Sequence, residues 1–281
     1  MLVLGAEGML GHMASLWFES KDYEVTRLDQ KFFFTKPGVE LDATNISELS
    51  KFLFEHDFDL IVNCIGLLVN TSEQNHQLAI YLNSYLPQWL EFRYRGSNCR
   101  IFHISSDTVF SGDDPPYKEN SPYSNQTFYG RTKALGEIIN DKDLTFRASM
   151  IGPELNPNGT SLFNWFISQK EQVMGYSQVW WTGVTSLVMA QALEQAYLQN
   201  LTGLYHLVPS NPITKYELFE LLDQTFDRNL QVISDSTKVD GKILVNTRSD
   251  FSFRIPDYPQ MLLELREWIL NHPDLYQAEL S

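Results

Sequence analysis

Three residues of the chain, Ser106, Tyr129 and Lys133, have the types and spacing needed to polarise a carbonyl group and protonate its oxygen. Tyr129 and Lys133 are four residues apart in a segment, Thr127 to Ile139, that predicts a helix, so both side chains leave the same face. A phenol has a pKa of about 10, and a nearby ammonium group lowers that value. Ser106 follows an apolar run that predicts a strand, and its hydroxyl would hydrogen-bond the oxygen that Tyr129 protonates. The three are therefore candidate catalytic residues for hydride transfer to a carbonyl carbon.

A glycine-rich loop near the N-terminus is the candidate site for the hydride carrier. It lies between a short apolar segment that predicts a strand and a longer segment with helical periodicity. Glycines in this position allow the pyrophosphate of a dinucleotide to approach the N-terminus of the helix. The alternative is a tight turn between strand and helix that binds no ligand. The residues assigned to this loop are Gly5, Gly8, Met9, Leu10 and Gly11.

The choice of nicotinamide cofactor is left open by the second predicted strand. Asp29 ends that strand 18 residues beyond Gly11, where a carboxylate would bind the ribose hydroxyls of NADH. Arg27 and Lys31 are close enough in sequence to pair with the 2′-phosphate of NADPH. We therefore expect the cofactor to be NADPH or NADH.

Strands and helices alternate along the first half of the chain. The predicted strands are nearly continuous apolar runs, which is typical of a parallel sheet covered by helices on both faces. We therefore predict an α/β fold with a doubly wound, Rossmann-like parallel sheet in residues 1–150, which would hold the dinucleotide and the catalytic residues. Residues 151–281 have shorter segments, richer in proline, asparagine and aromatics, and predict a smaller C-terminal α+β region that mainly binds substrate.

The run from Ile104 to Glu137 resembles the extended short-chain dehydrogenase/reductases, and more narrowly the dTDP-4-dehydrorhamnose reductases. The matching motifs are ISSDTVFSG at 104–112, PYKE at 116–119 and YGRTKALGE at 129–137. The resemblance implies that Ser106 replaces an active-site threonine and that Tyr129 is the proton donor. It also implies that Lys133 tunes Tyr129 and holds the nicotinamide ribose.

Further ligand contacts are implied by the same resemblance. Asn83 would steady Lys133 through water, although a polar residue on a solvated helix face is an equal alternative. The other implied cofactor contacts are Asp42 and Ala43 at the adenine, and Cys64, Ile65 and Gly66 along the cofactor. The candidate substrate contacts are Ser106, Asp107, Thr108, Met150 and, for a substrate diphosphate, Arg248. Thr108 stands where the reductases usually have tyrosine, and Met150 where they have tryptophan, which leaves the sugar and its nucleotide open.

The activity implied by the resemblance is NADPH- or NADH-dependent reduction of a nucleotide-linked 4-keto-6-deoxy sugar, as in dTDP-rhamnose and polysaccharide biosynthesis. One alternative is a nucleotide-sugar epimerase or dehydratase on the same fold. Dehydration is disfavoured because Thr108 stands where dehydratases have a glutamate base. The other alternative is a non-catalytic regulatory subunit resembling the β subunit of methionine adenosyltransferase.

The composition limits the classes of partner. A net charge of −14 argues against nucleic acid or an anionic membrane, so an anionic ligand must be held by local cations. The two cysteines predict no disulfide framework, and no cluster of metal-ligating residues is visible. No apolar run approaches the roughly 18 residues of a membrane helix, and the N-terminus has no secretory pattern. We expect a cytoplasmic protein and leave a homodimer open.

Overall fold

The computed structural model describes residues 1–33, 35–156, 159 and 161–276 of the chain. Its strands are β1 (Leu2–Leu4), β2 (Thr26–Asp29), β3 (Val39–Glu40), β4 (Leu60–Asn63), β5 (Arg100–Ser105), β6 (Leu144–Arg147), β7 (Met150–Ile151), β8 (Gln172–Trp181), β9 (Val184–Thr185), β10 (Gly203–His206), β11 (Ile213–Thr214) and β12 (Gln231–Asp240). Its α-helices are α1 (Met9–Ser20), α2 (Ile46–Glu55), α3 (Val69–Gln74), α4 (His76–Ala79), α5 (Leu86–Tyr94), α6 (Phe128–Gly136), α7 (Leu162–Ile167), α8 (Ser186–Leu198), α9 (Lys215–Phe226) and α10 (Tyr258–Asn271). A π-helical segment, Ile80–Tyr85, joins α4 to α5, and a 3-10 turn, Asp107–Val109, follows β5.

Seven of the strands form one parallel sheet in the order β10-β6-β5-β4-β1-β2-β3. The chain builds this sheet outward from β1 in one direction through β2 and β3, and then in the other direction from β4. Ligands of such sheets bind beyond the carboxyl ends of the strands, at the point where the direction reverses. The predicted doubly wound, Rossmann-like fold is confirmed.

The hydrophobic core continues across residue 150. Strand β10, from the predicted C-terminal region, pairs with β6 and completes the main sheet. Helix α8 packs against α1, and one cluster of buried apolar side chains includes Met13 of α1, Phe146 of β6, Met189 of α8 and Leu265 of α10. Residues 1–150 and 151–276 therefore share one core over this face of the sheet.

The remaining strands form two smaller sheets. In one, β8 pairs with β12 in parallel and with β11 in antiparallel orientation, and α9 packs against β8. In the other, β7 pairs with β9. Within the ranges described above, no helix is both long and apolar enough to span a bilayer.

A buried ion pair connects the end of α6 to β6. Arg147 Nη2 lies 2.6 Å from Glu137 Oε2, and neither side chain is exposed to solvent. The same carboxylate accepts hydrogen bonds from the hydroxyls of Ser105 (2.6 Å) and Tyr123 (2.8 Å). On its other side, Arg147 Nη1 lies 2.8 Å from Nε2 of His206. These contacts join β5, α6, β6 and β10 to one another through buried side chains.

Replacing Arg147 with methionine should lower the free energy of unfolding by about 3–5 kcal/mol, because the Glu137 carboxylate would stay unpaired in the interior. Urea denaturation followed by circular dichroism measures this change. Arg95→Met is the matched control, since it breaks an exposed pair with Glu91 one helical turn away and should change stability little. Equal stability of the two variants would contradict a structural role for the buried pair.

Candidate active site

The structure brings Ser106, Tyr129 and Lys133 together at the carboxyl end of β5. Ser106 follows that strand, and its Oγ accepts a hydrogen bond from the backbone N–H of Thr108 (3.0 Å), which fixes the 3-10 turn. Helix α6 lies directly against this turn because residue 130 is glycine. A Cβ at Gly130 would approach the carbonyl oxygen of Thr108 to 2.5 Å. The close approach sets Tyr129 beside Ser106.

Tyr129 is half-buried at this contact. Burial raises the pKa of its phenol to about 12; a hydrogen bond with Ser106 acts in the lowering direction, and the charge of Asp107 acts in the raising direction. The pKa of this phenol is raised and not lowered because burial outweighs the other influences, and the tuning of Tyr129 by Lys133 stays a prediction. Tyr129 therefore stays protonated at neutral pH.

Lys133 is buried, with 5% of its surface exposed. Its Nζ donates a hydrogen bond of 2.6 Å to the carbonyl oxygen of Ile104, two residues before Ser106. Burial lowers the pKa of Lys133 to about 8, and the charge of Glu137 opposes that shift. The backbone contact holds the ammonium group close to the 3-10 turn that begins after Ser106.

The candidate substrate residues other than Arg248 lie in the 3-10 turn after Ser106 or just past the neighbouring strand. Asp107 is buried, and its Oδ1 accepts hydrogen bonds of 3.1 Å from the hydroxyls of Ser106 and Thr108. Met150 begins β7, three residues beyond β6, and is partly buried against the core. Asp107 and Thr108 therefore belong to the same turn as Ser106, and Met150 lies just past the neighbouring strand.

A cleft of about 620 Å³ opens at the point where the sheet reverses direction. Nine of the predicted cofactor contacts line it: Gly5, Gly8, Met9, Asp29, Asp42, Ala43, Cys64, Ile65 and Gly66. Gln30, Lys31, Leu41, Leu67, Glu154 and Asn156 also line it. Glu154 and Asn156 come from the region beyond residue 150, and no motif marks them in the sequence. This cleft is the candidate dinucleotide site.

Leu10 and Gly11 lie beneath the cleft instead of lining it. Leu10 is buried in the core on the inner face of α1. A Cβ at Gly11 would overlap the backbone of Gly5, so this glycine allows the helix to pack on the loop. A Cβ at Gly8 would meet only the carbonyl oxygen of Gly5, at 3.4 Å. Gly8 is therefore free of protein contacts on the side that a ligand would approach.

Of the charged groups near Asp29, some line the cleft and one is held away from it. Asp29 accepts a hydrogen bond of 2.8 Å from the backbone N–H of Glu7 and faces the cleft with Lys31. The Glu7 carboxylate accepts hydrogen bonds from backbone N–H groups of Phe33 (3.0 Å) and residue 35 (3.1 Å). Arg27 is buried in an ion pair with Glu19 (2.6 Å) and does not line the cleft. Of the two cations suggested for a 2′-phosphate, Lys31 is the one in place.

Asn83 is fully buried in the π-helical segment, so the solvated alternative is wrong. Its Oδ1 accepts from the backbone N–H of Leu67 (2.7 Å), and its Nδ2 donates to the hydroxyl of Thr132 (3.2 Å). Gly66, in the cleft wall, would bring a Cβ within 3.8 Å of Lys133 Nζ and 3.5 Å of Asn83 Oδ1. Asn83 thus connects the cleft wall to the helix that carries Tyr129 and Lys133.

Arg248 lies at the amino end of the parallel strands, away from the cleft. Its Nη1 donates to the carbonyl oxygens of Thr202 (2.6 Å) and Leu204 (2.9 Å), where β10 begins, and its Nε donates to Asp250 (3.0 Å). Because the strands are parallel, this is the end opposite to Ser106. The guanidinium covers carbonyl groups on the free edge of β10, and we leave Arg248 out of the proposed substrate site.

Comparison with known families decides the affiliation. The family model described as the RmlD substrate binding domain matches residues 1–238. The chain belongs to this family.

Within the ranges that the structure describes, no group of three or more His, Cys, Asp or Glu side chains is arranged to hold a metal ion.

Individual proteins similar to this RmlD family chain differ in how much they share with it. A probable dTDP-4,6-dihydroxy-2-methyloxan-3-one 4-ketoreductase of Streptomyces antibioticus is 32% identical over 139 residues, 48% of this chain and 44% of that protein. Methionine adenosyltransferase 2 subunit beta of Xenopus tropicalis is 26% identical over 235 residues, 77% of this chain and 69% of that protein. The chain thus spans less than half the length of the first relative.

A solved structure shows the fold over nearly the whole chain. The dTDP-4-dehydrorhamnose reductase of Bacillus anthracis, determined in complex with NADP, superposes with a TM-score of 0.81 at 19% identity. The match covers 95% of this chain and 97% of that one. At this level of identity the likeness establishes a common fold.

Asn83→Ala should lower the free energy of unfolding by about 1–3 kcal/mol, because the partly buried N–H of Leu67 would lose its partner and the hydroxyl of Thr132 would lose one of its two partners. Gln88→Ala is the control, since Gln88 is exposed and the carbonyls it binds can bind water instead. Thermal denaturation of both variants measures the difference. Indistinguishable melting temperatures would show that the carboxamide is dispensable for the fold.

Proposed function

We propose that the chain is an NADPH- or NADH-dependent reductase that reduces the keto group of a nucleotide-linked 4-keto-6-deoxy sugar. The observation that carries this proposal is the meeting of Ser106, Tyr129 and Lys133 beside the cleft where the sheet reverses direction. A proton donor and a dinucleotide-sized cleft at adjoining strand ends are the two parts that carbonyl reduction needs. The name of the Streptomyces relative, a 4-ketoreductase, supports the reaction class.

The geometry suggests a role for each catalytic side chain. A nicotinamide cofactor bound in the cleft would supply the hydride to the carbonyl carbon. The Tyr129 phenol, with a pKa near 12, would hold its proton until negative charge develops on the carbonyl oxygen and would then transfer it there. Ser106 would donate a hydrogen bond to the same oxygen, which stabilises the developing charge. The Lys133 ammonium would stabilise the Tyr129 phenolate that remains until solvent reprotonates it.

The cleft offers positions for the pyrophosphate and the ribose of a dinucleotide. Gly8 leaves room for a pyrophosphate near the N-terminus of α1, and Asp29 faces the position of a ribose. Lys31 lies beside Asp29 and would meet a 2′-phosphate. We therefore propose that both NADPH and NADH bind. A cytoplasmic location and a homodimer stay predictions from the sequence.

The test is to follow absorbance at about 340 nm, the reduced nicotinamide band, while the protein acts on dTDP-, UDP-, GDP- and CDP-linked 4-keto sugars with either cofactor. Reduction predicts one cofactor oxidised for each sugar reduced, with the product resolved by NMR. Stoichiometric NAD released on denaturation, together with no net oxidation of added cofactor, would establish the epimerase instead. No turnover of any sugar, despite cofactor binding, would favour a non-catalytic subunit like the methionine adenosyltransferase relative.

Tyr129→Phe should lower turnover by roughly 10²-fold or more, since a positioned acid contributes about that much, and should leave cofactor affinity nearly unchanged. Ser106→Ala should cost somewhat less. Tyr85→Phe, which removes a hydroxyl from a side chain that is 47% exposed, is the matched control and should keep full activity. A Tyr129→Phe rate above about half that of the wild type would contradict the proposed proton donor.

Gly8→Val should abolish dinucleotide binding while the protein still folds, because the new side chain would occupy the space of the pyrophosphate and not that of the protein. NADPH fluorescence titration measures the affinity, and circular dichroism checks the fold. Gly96→Val is the control, as a Cβ there meets nothing within 4 Å. Unchanged NADPH affinity in Gly8→Val would mean that the loop is only a structural turn.

A further inference from the structure

Lys215, the first residue of α9, carries a charge that the protein leaves without a polar partner. Its Nζ lies 4.6 Å from the centre of the Trp181 ring, at cation–π distance. Among the residues that the structure describes, it makes no hydrogen bond and no ion pair. Burial lowers its pKa to about 8. Lys215 is half-buried, so its ammonium group, held over the indole ring, is open to an anionic ligand that approaches from solvent.

Trp181 places this ammonium group near the carboxyl ends of the strands of the main sheet. The indole Nε1 donates a hydrogen bond of 2.7 Å to the hydroxyl of Ser149, two residues beyond β6. The Trp181 backbone pairs with Ile213, two residues before Lys215, and its carbonyl oxygen accepts from the Tyr258 hydroxyl (3.1 Å). Because β6 neighbours β5 in the parallel sheet, Lys215 lies at the same carboxyl end of the strands as Ser106.

The charges around Lys215 are mixed, with an excess of cations. The carboxylates of Asp107 and Asp240 act to raise its pKa, and the ammonium groups of Lys238 and Lys242 act to lower it. Asp240 is paired with Lys242 through Oδ2, whereas its Oδ1 has no hydrogen-bond partner among the described residues. Asp107 already accepts hydrogen bonds from its two neighbouring hydroxyls. Three lysines and two carboxylates thus interact at this site, which leaves a local excess of one positive charge in a chain whose net charge is −14.

This basic cluster, defined as Lys215, Lys238 and Lys242, also borders the catalytic segment. Strand β12 ends at Asp240, whose Oδ1 lies so close to Gly112 that a Cβ there would overlap it. Gly112 closes the motif that begins just before Ser106. An anionic group bound by the cluster would therefore lie beside the substrate carbonyl site.

We propose that Lys215, supported by Lys242, binds the diphosphate group of the nucleotide-linked sugar whose keto carbon is reduced beside Ser106 and Tyr129. The assignment rests on the proposed function and deepens it by naming the cation that holds the substrate's charge. It replaces Arg248, which is neutralised by Asp250 at the opposite end of the strands. A Lys ammonium is well suited to phosphate oxygens because its three N–H groups can meet several of them.

The experiment compares binding of thymidine diphosphate and of uncharged thymidine by isothermal titration calorimetry, with the full chain saturated with NADPH. Lys215→Met should weaken thymidine diphosphate binding by about tenfold or more, the scale of a lost charge-assisted contact, and leave thymidine and NADPH binding unchanged. Lys215→Arg should retain most of the affinity. Lys51→Met is the control, since Lys51 is an exposed lysine on α2 that pairs with Glu55.

A second measurement uses the wild-type protein and does not depend on the folding of a variant. Lysine acylation mapped by mass spectrometry should show protection of Lys215, and not of Lys51, on addition of thymidine diphosphate. If thymidine diphosphate binds but neither its affinity nor the labelling depends on Lys215, the assignment of Lys215 is overturned and the proposed function stands. If the wild type binds neither NADPH nor any nucleoside diphosphate and reduces no nucleotide-linked ketone, both the proposed function and the assignment of Lys215 are contradicted.

Discussion

The carboxylate of Glu137 is the group on which the arrangement of the segment from Ile104 to Glu137, with its candidate catalytic residues, depends. It accepts hydrogen bonds from Arg147, Ser105 and Tyr123, and all of these lie within the interior or at its margin. A buried charge is tolerated only when its lone pairs are satisfied, so each of these donors is needed in place. The carboxylate therefore determines where α6 ends relative to β5 and β6.

The effect on α6 is visible in its length. The sequence predicts a helix to about residue 139, whereas the helix ends at Gly136. Glu137 has extended backbone angles, which turn its side chain toward Arg147. The short helix still carries Tyr129 and Lys133 on one face, and its approach to the Ser106 turn is set by Gly130. A tertiary ion pair thus overrides local helical periodicity without disturbing the four-residue spacing of Tyr129 and Lys133.

Much of the site was predictable because its signals are local. The strand–glycine–helix pattern and the four-residue spacing of Tyr129 and Lys133 each depend on neighbours in sequence, and the structure agrees with both. What could not be predicted depends on contacts between distant segments. Asn83 is buried within a π-helical segment that sequence periodicity does not predict. The side chains around Lys215 come from distant parts of the chain, among them β8 and β12. The phenol pKa of Tyr129 is raised because burial, which the sequence does not report, outweighs the neighbouring charges.

The late position of β10 in the chain has a consequence for how the protein is made. Until residue 206 has been synthesised, β6 is an open sheet edge with unpaired backbone N–H and C=O groups. Such edges recruit other strands and are a common origin of aggregation. The apolar face that α8 covers is likewise bare in the nascent chain. During translation, residues 1–150 therefore lack the strand that pairs with β6 until more than fifty further residues have been added after β6 ends. The main sheet and its apolar face are therefore complete only once segments from both halves of the chain are present.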